Sequence, residues 1–364
     1  MNPIDSSPAH GGDIVSASQH YRIPIDHWID LSTGINPKPY PVTIASESFQ
    51  RLPYLQIPFI EASTQYYGNA SFLPVAGTQA AIQQLPDILS SLPIFVPEIG
   101  YQEHAWCWQQ AGEDVRYYPS CDNNMAGFIN CELEKNQHSH WVIINPNNPT
   151  GVLVEREQLY AWAKKLAPGA YLIIDEAFID MTPAKSVLDS ILPNNIIVLR
   201  SFGKFFGLAG IRLGYCFANQ QVLSVLQKRL GVWQVNGPAQ AIAIQALQDT
   251  VWQQQAIEDV KKNAAWMQAC WQPLMSACSD DVFYSSLFSS WQMPLEKAQA
   301  IYEYFAQAGI LLRVIPLHKE QALLRIGLVD HKNLALAQRV YTHIESAYHH
   351  FCQQLLPEQQ LLKV

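Results

Sequence analysis

One lysine stands in the part of the chain where the residue types best suit chemistry. Lys204 lies among glycine, aromatic and aliphatic residues, with Ser201 three positions before it and Arg212 eight positions after it. Apolar surroundings disfavour the charged form of a lysine, so its ammonium group can become a neutral amine. A neutral amine can form a Schiff base with an aldehyde, and the nearby hydroxyl and guanidinium suit a phosphate. The segment therefore predicts a lysine that carries pyridoxal phosphate (PLP).

Two polar residues follow apolar runs that are typical of buried strands. Asp175 comes directly after residues 171–174, where its carboxylate needs a partner. A protonated pyridine nitrogen would be one, and an N-cap or a salt bridge is the alternative. Asn148 lies in the loop 145–151 after another run, where its amide could donate to a cofactor oxygen or simply form a turn. Because ligands bind at the carboxyl ends of parallel strands, both residues are well placed for a site.

Weaker signals come from a loop and a tyrosine. Gly77, Thr78 and Gln79 could open a helix whose backbone N–H groups hold a phosphate, although a plain N-cap at Thr78 is the simpler interpretation. Tyr101 follows a predicted strand and could either stack on a cofactor ring or pack at the surface.

The elements around these residues alternate between strand and helix. Residues 155–167 carry apolar side chains at helical spacing and end in Pro168-Gly169. This βαβ pattern predicts an α/β domain with a mainly parallel sheet. The expected strands, short and apolar as in strands buried on both faces, are residues 94–96, 114–117, 141–144, 171–174, 196–199 and 213–216.

After about residue 236 the pattern indicates a smaller α+β domain. We expect a long helix over 240–272, a helix over 295–308, strands over 311–314 and 323–326, and a final helix from 333. Arg313 and Arg325 lie in the two strand-like runs, where they would pair with protein carboxylates or recognise a substrate carboxylate or phosphate. The predicted domains are an N-terminal arm (1–40), a large domain (41–250) and a small domain (251–364).

Composition excludes several classes of protein. The 364 residues suffice for two domains, and their net charge of -8 disfavours a nucleic-acid partner. No run reaches the roughly 20 apolar residues of a membrane span, and the start lacks the pattern of a secretory signal. Seven cysteines without a C-x-x-C pair predict reduced thiols, a cytoplasmic location and no metal site.

In order and spacing these motifs resemble the fold-type I PLP enzymes, specifically the class I/II aminotransferase superfamily in its histidinol-phosphate aminotransferase-like branch. Residues 10–14 and 30–37, His-Gly-Gly-Asp-Ile and Asp-Leu-Ser-Thr-Gly-Ile-Asn-Pro, are similar to the threonine-phosphate decarboxylases of cobalamin biosynthesis. The resemblance implies an aspartate aminotransferase-like PLP domain and decarboxylation of L-threonine O-3-phosphate to (R)-1-aminopropan-2-yl phosphate. Aminotransfer on histidinol phosphate or a related amino acid is the alternative. A non-enzymatic regulator with this fold is disfavoured, because no basic extension lies outside the enzyme-like span.

The resemblance also implies roles for single residues. Lys204 would form the Schiff base, Asp175 would pair with the pyridinium nitrogen, Asn148 would bond the ring oxygen and Tyr101 would stack on the ring. Tyr67 would reach the cofactor phosphate of a neighbouring subunit, which implies a homodimer with active sites at the subunit interface. The phosphate would be bound by Thr78, Gln79, Ser201 and Arg212, with Gly77 and Phe178 also at the cofactor, and the substrate by His10, Gly34, Asn148, Arg313 and, at its α-carboxylate, Arg325.

Two positions depart from the resemblance. Phe178 stands where many aminotransferases place a tyrosine, so a hydrogen bond to the ring oxygen is absent and the pKa of the Schiff base can shift. Gln79 stands where relatives often carry an acidic residue, although backbone donors in that loop can serve equally.

Overall fold

The computed structural model describes residues 8–121, 124–188 and 191–352. The described chain divides into two compact units. The first contains Pro39–Ile257, and the second combines Ala9–Lys38 with the chain from Glu258 onwards. Most of the predicted arm therefore belongs to the same unit as the predicted small domain.

The first unit is built on a seven-stranded sheet. Gly214–Phe217 runs antiparallel to its two neighbours, and the other paired strands run parallel. This confirms the predicted α/β fold with a mainly parallel sheet. In spatial order the strands are Phe72–Val75, Gly214–Phe217, Ile196–Ser201, Leu172–Asp175, His140–Ile144, Ile94–Pro97 and Val115–Tyr118.

Burial on both faces explains the continuous apolar runs of the central strands. Residues 196–199 are fully buried, and Ile144, Asp175 and Leu199 lie side by side in register. Since parallel strands end at the same edge of a sheet, the loops after residues 97, 144, 175 and 201 leave it together. That edge is where the predicted cofactor residues follow their strands.

Helices pack beside this sheet through apolar faces. Arg156–Lys165, for example, buries Leu159, Trp162 and Ala163 at helical spacing. The α-helices of the first unit are Glu47–Gln50, Ile57–Tyr67, Thr78–Ile82, Leu85–Ile88, Glu103–Gln110, Met125–Lys135, Arg156–Lys165, Phe202–Phe205, Gln220–Leu230 and Gly237–Gln248, and its 3-10 helices are Ile179–Met181, Pro183–Lys185 and Ala209–Ile211.

The predicted single helix over 240–272 is wrong, because two helices cover this region. Gly237–Gln248 begins at Asn236, whose side chain accepts from the N–H of Ala239, and ends at Asp249. The backbone of Asp249 leaves the helical region (ψ 76), and its carboxylate accepts from the N–H of Trp252 at 2.9 Å. Asp249 thus caps the start of the next helix, Thr250–Cys278.

The second unit contains a four-stranded antiparallel sheet and a two-stranded parallel one. The predicted strand over 311–314 is wrong as a single element, because Leu312 separates two strands that belong to different sheets. The larger sheet has the order Arg313–Pro316, Gln321–Ile326, Ser289–Pro294 and Asp281–Tyr284, and the smaller pairs Ile29–Asp30 with Ile310–Leu311. The helices of this unit are Ile14–Tyr21, the part of Thr250–Cys278 from residue 258, Leu295–Gln307 and Leu334–Cys352, with a 3-10 helix at Ile25–His27.

The predicted N-terminal arm contains a capped helix, which its sequence did not lead us to expect. Asp13 caps the helix Ile14–Tyr21 by accepting from the N–H of Ser16. Ala17 and Trp28 pack with Leu311 into a small apolar cluster. The segment therefore forms part of the core of the second unit.

Candidate active site

A cavity of about 110 Å³ opens at the carboxyl edge of the large sheet. Every predicted cofactor residue except Tyr67 lines it, although these residues come from five separate parts of the first unit. The lining residues are Gly77, Thr78, Gln79, Tyr101, Ile144, Asn148, Asp175, Ala177, Phe178, Ser201, Lys204 and Arg212.

Lys204 stands on a single helical turn, Phe202–Phe205, that follows the strand ending at Ser201. A side chain at Gly203 would place its Cβ 2.7 Å from Cα of Ala209, so glycine is needed for the close packing of this turn. The Nζ of Lys204 lies 5.6 Å from the centre of the Phe178 ring. The amine thus faces an apolar aromatic wall of the cavity.

Asp175 is held by two hydrogen bonds at the end of its strand. One carboxylate oxygen accepts from the N–H of Ala177 at 3.0 Å, and the other lies 2.9 Å from Nε2 of His104. Asp175 and His104 are both buried, with exposures of 3% and 1%. Among the described residues Asp175 forms no ion pair with Lys or Arg, and a buried histidine fixes the carboxylate instead.

Gly77 and Arg212 form the side of the cavity that suits a phosphate. Gly77 has a φ of +78°, and a Cβ there would lie 2.4 Å from Nη2 of Arg212. Only glycine therefore lets the loop approach the guanidinium so closely. Gly77, rather than Thr78, is the N-cap of the helix Thr78–Ile82, and Thr78 and Ser201 contribute hydroxyls to the same cavity.

Gln79 connects Tyr101 to Glu103 through two hydrogen bonds. The Tyr101 hydroxyl donates to Oε1 of Gln79 at 3.1 Å, and Nε2 of Gln79 donates to the buried Glu103 at 2.6 Å. Burial raises the pKa of Tyr101, so its hydroxyl stays a donor. Gln79 thus orients the tyrosine ring, while the predicted contact of Gln79 with the phosphate stays a prediction.

The three asparagines of the loop 145–151 have different surroundings. Asn145 exchanges two hydrogen bonds with the backbone of Val154, and Asn147 donates to Ile99 and Thr150. Asn148 lines the cavity. The loop therefore uses two asparagines for its own shape and presents the third to a ligand.

Tyr67 lies away from this cavity. It is 5% exposed, packs edge-on against Tyr66 and lies 4.9 Å from the guanidinium of Arg200. Its buried hydroxyl has no hydrogen-bond partner among the described residues. Its contact with the cofactor of a neighbouring subunit stays a prediction.

The predicted substrate residues His10, Gly34, Arg313 and Arg325 belong to the second unit. Arg313 and Arg325 face each other in register on neighbouring strands. Burial and the nearby Arg313 lower the pKa of Arg325 to about 10, against the opposing effect of Asp30. Arg325 donates to the carbonyl of Ser32, and Arg313 donates to the carbonyl of His10 at 3.3 Å.

Sequence reasoning missed His104 and Glu103, which support Asp175 and Gln79. The signal available was their position in the first turn of a helix just after Tyr101. Spacing alone did not reveal their partners, because Asp175 and Gln79 are 71 and 24 residues away in the chain.

Membrane-spanning helices and metal-binding clusters are both absent from residues 8–121, 124–188 and 191–352. No helix there is long and apolar enough to span a membrane. No group of three or more His, Cys, Asp or Glu residues there is arranged to hold a metal ion.

The donor set of the cavity fits PLP. An amine at Lys204 can bond the aldehyde, the carboxylate of Asp175 can pair with the ring nitrogen, and Arg212 with the hydroxyls of Thr78 and Ser201 can bind the phosphate.

Several known enzymes are similar to this chain in sequence. A threonine-phosphate decarboxylase of Pseudomonas aeruginosa is 37% identical over 331 residues, which are 88% of this chain and 92% of that protein. One from a Sinorhizobium species is 39% identical over 244 residues, 64% of this chain and 70% of that protein. Histidinol-phosphate aminotransferase 2 of Legionella pneumophila is 28% identical over 193 residues, half of each chain.

Solved structures share the fold. The histidinol-phosphate aminotransferase of Sinorhizobium meliloti, in complex with pyridoxal-5'-phosphate, superposes with a TM-score of 0.75 at 18% identity, covering 95% of this chain and 98% of that one. That of Clostridium acetobutylicum gives a TM-score of 0.73 at 21% identity, covering 88% and 99%. Residues 27–339 match the sequence model of the family Aminotransferase class I and II. The chain therefore belongs to the class I and II aminotransferases, a family of fold-type I PLP-dependent enzymes.

Proposed function

We propose that the enzyme decarboxylates L-threonine O-3-phosphate to (R)-1-aminopropan-2-yl phosphate. The observation that carries the proposal is the pair Arg313 and Arg325, two guanidiniums in register on neighbouring strands. This substrate has two anionic groups, a carboxylate and a phosphate, and guanidiniums recognise both. The relatives from P. aeruginosa and Sinorhizobium that bear the name of this activity support the choice.

The predicted residues suit different tasks in this reaction. Arg325 would hold the α-carboxylate of the substrate, and Arg313 with His10 would hold its phosphate. Bound PLP supplies an electron sink for the pair of electrons that CO₂ leaves behind. Asp175 keeps the ring nitrogen protonated, His104 holds Asp175, and Tyr101 lies against the ring.

Lys204 is the residue that would transfer the proton in this reaction. The substrate loses CO₂ and gains one proton at Cα, and this proton comes ultimately from water. The amine of Lys204 would first accept a proton and then, as the ammonium, deliver it to Cα. The aromatic wall of Phe178 beside Nζ keeps this end of the cavity apolar. The same lysine would move a proton from Cα in aminotransfer, so the substrate-holding residues decide which bond breaks.

The reaction can be tested directly with purified PLP-loaded enzyme. Incubation with L-threonine O-3-phosphate should release CO₂ without any 2-oxo acid. Amino transfer to 2-oxoglutarate without CO₂ release would instead establish the second candidate, aminotransfer on histidinol phosphate or a related amino acid, which the Legionella relatives favour.

We further propose that the enzyme is a homodimer and that its product enters cobalamin assembly, as the resemblance implies. The dimer can be tested by light scattering of the full chain, and a monomeric mass would reject it. Neighbouring genes of cobalamin assembly would support the pathway. A cytoplasmic location stays a prediction of the sequence.

A further inference from the structure

Beside two cavity-lining residues in the chain lies a buried polar cluster that the proposed reaction does not use. We name Arg200, Glu176, Asp180 and Ser186 the Arg200 cluster; their exposures are 3%, 0%, 3% and 4%. Nη1 of Arg200 donates to Glu176 at 3.3 Å and to Ser186 at 3.1 Å, and its Nη2 donates to Asp180. One guanidinium thus donates hydrogen bonds to two buried carboxylates and a hydroxyl.

Further hydrogen bonds fix the two carboxylates of the cluster. Glu176 accepts from the hydroxyl of Ser186 at 2.5 Å and from the N–H of Val187 at 2.7 Å, and Asp180 accepts from the Tyr66 hydroxyl at 3.0 Å. Buried ion pairs contribute little net stability, because removing the charges from water costs about as much as their attraction returns. Fixing the positions of neighbouring residues is therefore a better explanation for this cluster than added stability.

The cluster lies next to two cofactor-facing residues in the chain. Glu176 directly follows Asp175, and Arg200 directly precedes Ser201. Successive residues of a strand point to opposite faces; accordingly Ser201 lines the cavity and Arg200 does not. Asp175, the last residue of its strand, also lines the cavity, and none of the Arg200 cluster does. The N–H of Glu176 also donates to the carbonyl of Leu199 at 2.8 Å, so the Arg200–Glu176 contact lies where the two strands end side by side.

We propose that the Arg200 cluster is a positioning device for the cofactor. The Arg200–Glu176 pair holds the ends of two neighbouring strands in one register, and thereby holds Asp175 at the ring nitrogen and Ser201 at the phosphate. The helical turn that carries Lys204 directly follows the strand that contains Arg200 and Ser201. The inference rests on the cofactor contacts assigned to Asp175 and Ser201 above.

Arg200→Met tests the proposal, since it keeps the length of the side chain and removes its charge. We expect the Kd for PLP to rise and kcat to fall, on the order of 10²-fold for a displacement of about 1 Å, with little change in KM. The pH at which the absorption of the bound cofactor changes should also shift, because Asp175 moves relative to the ring. Arg200→Lys should recover part of each effect, since it restores the charge without the forked geometry.

Leu159→Ala is the matched control for lost stability. Leu159 is fully buried in the helix Arg156–Lys165 of the same unit and does not line the cavity. This variant should unfold at lower denaturant concentration with PLP affinity and cofactor absorption unchanged. If Arg200→Met behaves in the same way, the cluster is merely structural and the proposal is overturned.

Two companion variants separate the possible failures. Asp175→Asn should weaken PLP binding and shift the absorption by itself; if neither it nor Arg200→Met changes them, the assignment of the cofactor contacts is wrong. If Arg200→Met does not fold, Ser186→Ala replaces it, because it removes the hydroxyl that Arg200 and Glu176 share. A smaller change in the same direction supports positioning, and unchanged PLP affinity and absorption in this variant reject it.

Discussion

Lys204 takes its chemistry from its neighbours. Its amine faces the ring of Phe178, and Asp175, Ser201 and Arg212 line the same cavity. A lysine in water is protonated and a weak nucleophile, whereas an apolar wall favours the neutral amine. Ser201 and Arg212 suit a phosphate, so they would hold a phosphorylated aldehyde within reach of that amine.

Lys204→Ala should abolish both turnover and the visible absorption of bound PLP, because no other amine lines the cavity among the described residues. Absorption spectra with added PLP and a CO₂ assay measure the two effects. Lys185→Ala is the control, since Lys185 lies on the surface and pairs with Glu155. Retention of the absorption band in Lys204→Ala would contradict the role of Lys204.

His104→Phe should weaken PLP binding by removing a hydrogen-bond partner of the buried Asp175. An unpaired buried acceptor costs about 1–3 kcal/mol, which corresponds to roughly a tenfold to hundredfold higher Kd. His104→Gln, which can still donate, should lose less. Titration of the apoenzyme with PLP measures the difference, and equal affinity in His104→Phe and the parent enzyme would show that His104 does not support Asp175.

At the scale of elements, strand ends and the loops after them place the site. Asp175 and Asn148 were predictable because each follows an apolar run that forms a buried strand. The burial of Tyr67 was harder to predict, since the sequence does not show which of the two adjacent tyrosines of the helix Ile57–Tyr67 faces the interior. The break at Asp249 was missed because helical spacing continues across it and only the cap hydrogen bond marks the end.

Gly77→Ala should weaken PLP binding by more than its loss of folding stability accounts for. A non-glycine residue at positive φ costs about 1–3 kcal/mol, and here the new Cβ also displaces Arg212. Gly68→Ala is the matched control, because Gly68 has a φ of +69° but no atom within 4 Å of the added Cβ. Both variants should lose stability in urea unfolding, and only Gly77→Ala should bind PLP weakly. Equal PLP affinities would contradict the close approach of Arg212.

His140 makes the stability of the sheet dependent on pH. Its Nδ1 accepts from the N–H of Tyr171 at 3.1 Å, so Nε2 carries the proton and donates to the carbonyl of Ser90 at 2.9 Å. Burial lowers the pKa of His140 below the ordinary value of 6.5. As pH falls below 6.5 the unfolded chain takes up a proton before the folded one, so stability present above that pH is lost.

His140→Gln should therefore flatten the dependence of unfolding free energy on pH just below 6.5, while lowering stability above it. Urea unfolding on either side of that pH measures both effects. His138→Gln, two residues away and exposed, should leave the dependence as it is. An unchanged slope in His140→Gln would mean that His140 is not the group that titrates.

At the scale of the whole molecule, most of the residues predicted to bind the cofactor and those predicted to bind the substrate fall in different units. The residues assigned to PLP lie in the first unit, and His10, Gly34, Arg313 and Arg325 lie in the second. The change in character near residue 236 predicts a second, smaller domain, and the boundary at 250 stays a prediction. The prediction of an N-terminal arm that packs on the small domain and active site did not include the helix Ile14–Tyr21, whose buried Ala17 packs with partners about 290 residues further along the chain.

Arg325→Lys should raise KM for the phosphorylated substrate while PLP affinity stays the same. A lysine keeps the charge but loses the paired hydrogen bonds of the guanidinium, and a bond to a charged group contributes about 1.5–3 kcal/mol. KM should therefore rise roughly tenfold or more. Arg22→Lys on the exposed surface of the same unit is the control. A fall in PLP affinity with unchanged KM would contradict the separation of tasks.

Release of CO₂ from L-threonine O-3-phosphate tests the proposed function most directly. Purified enzyme with PLP and no 2-oxo acid should release one CO₂ for each aminopropanol phosphate formed, and Lys204→Ala should release none. Absence of CO₂, with amino transfer once 2-oxoglutarate is added, would contradict the decarboxylase and establish an aminotransferase.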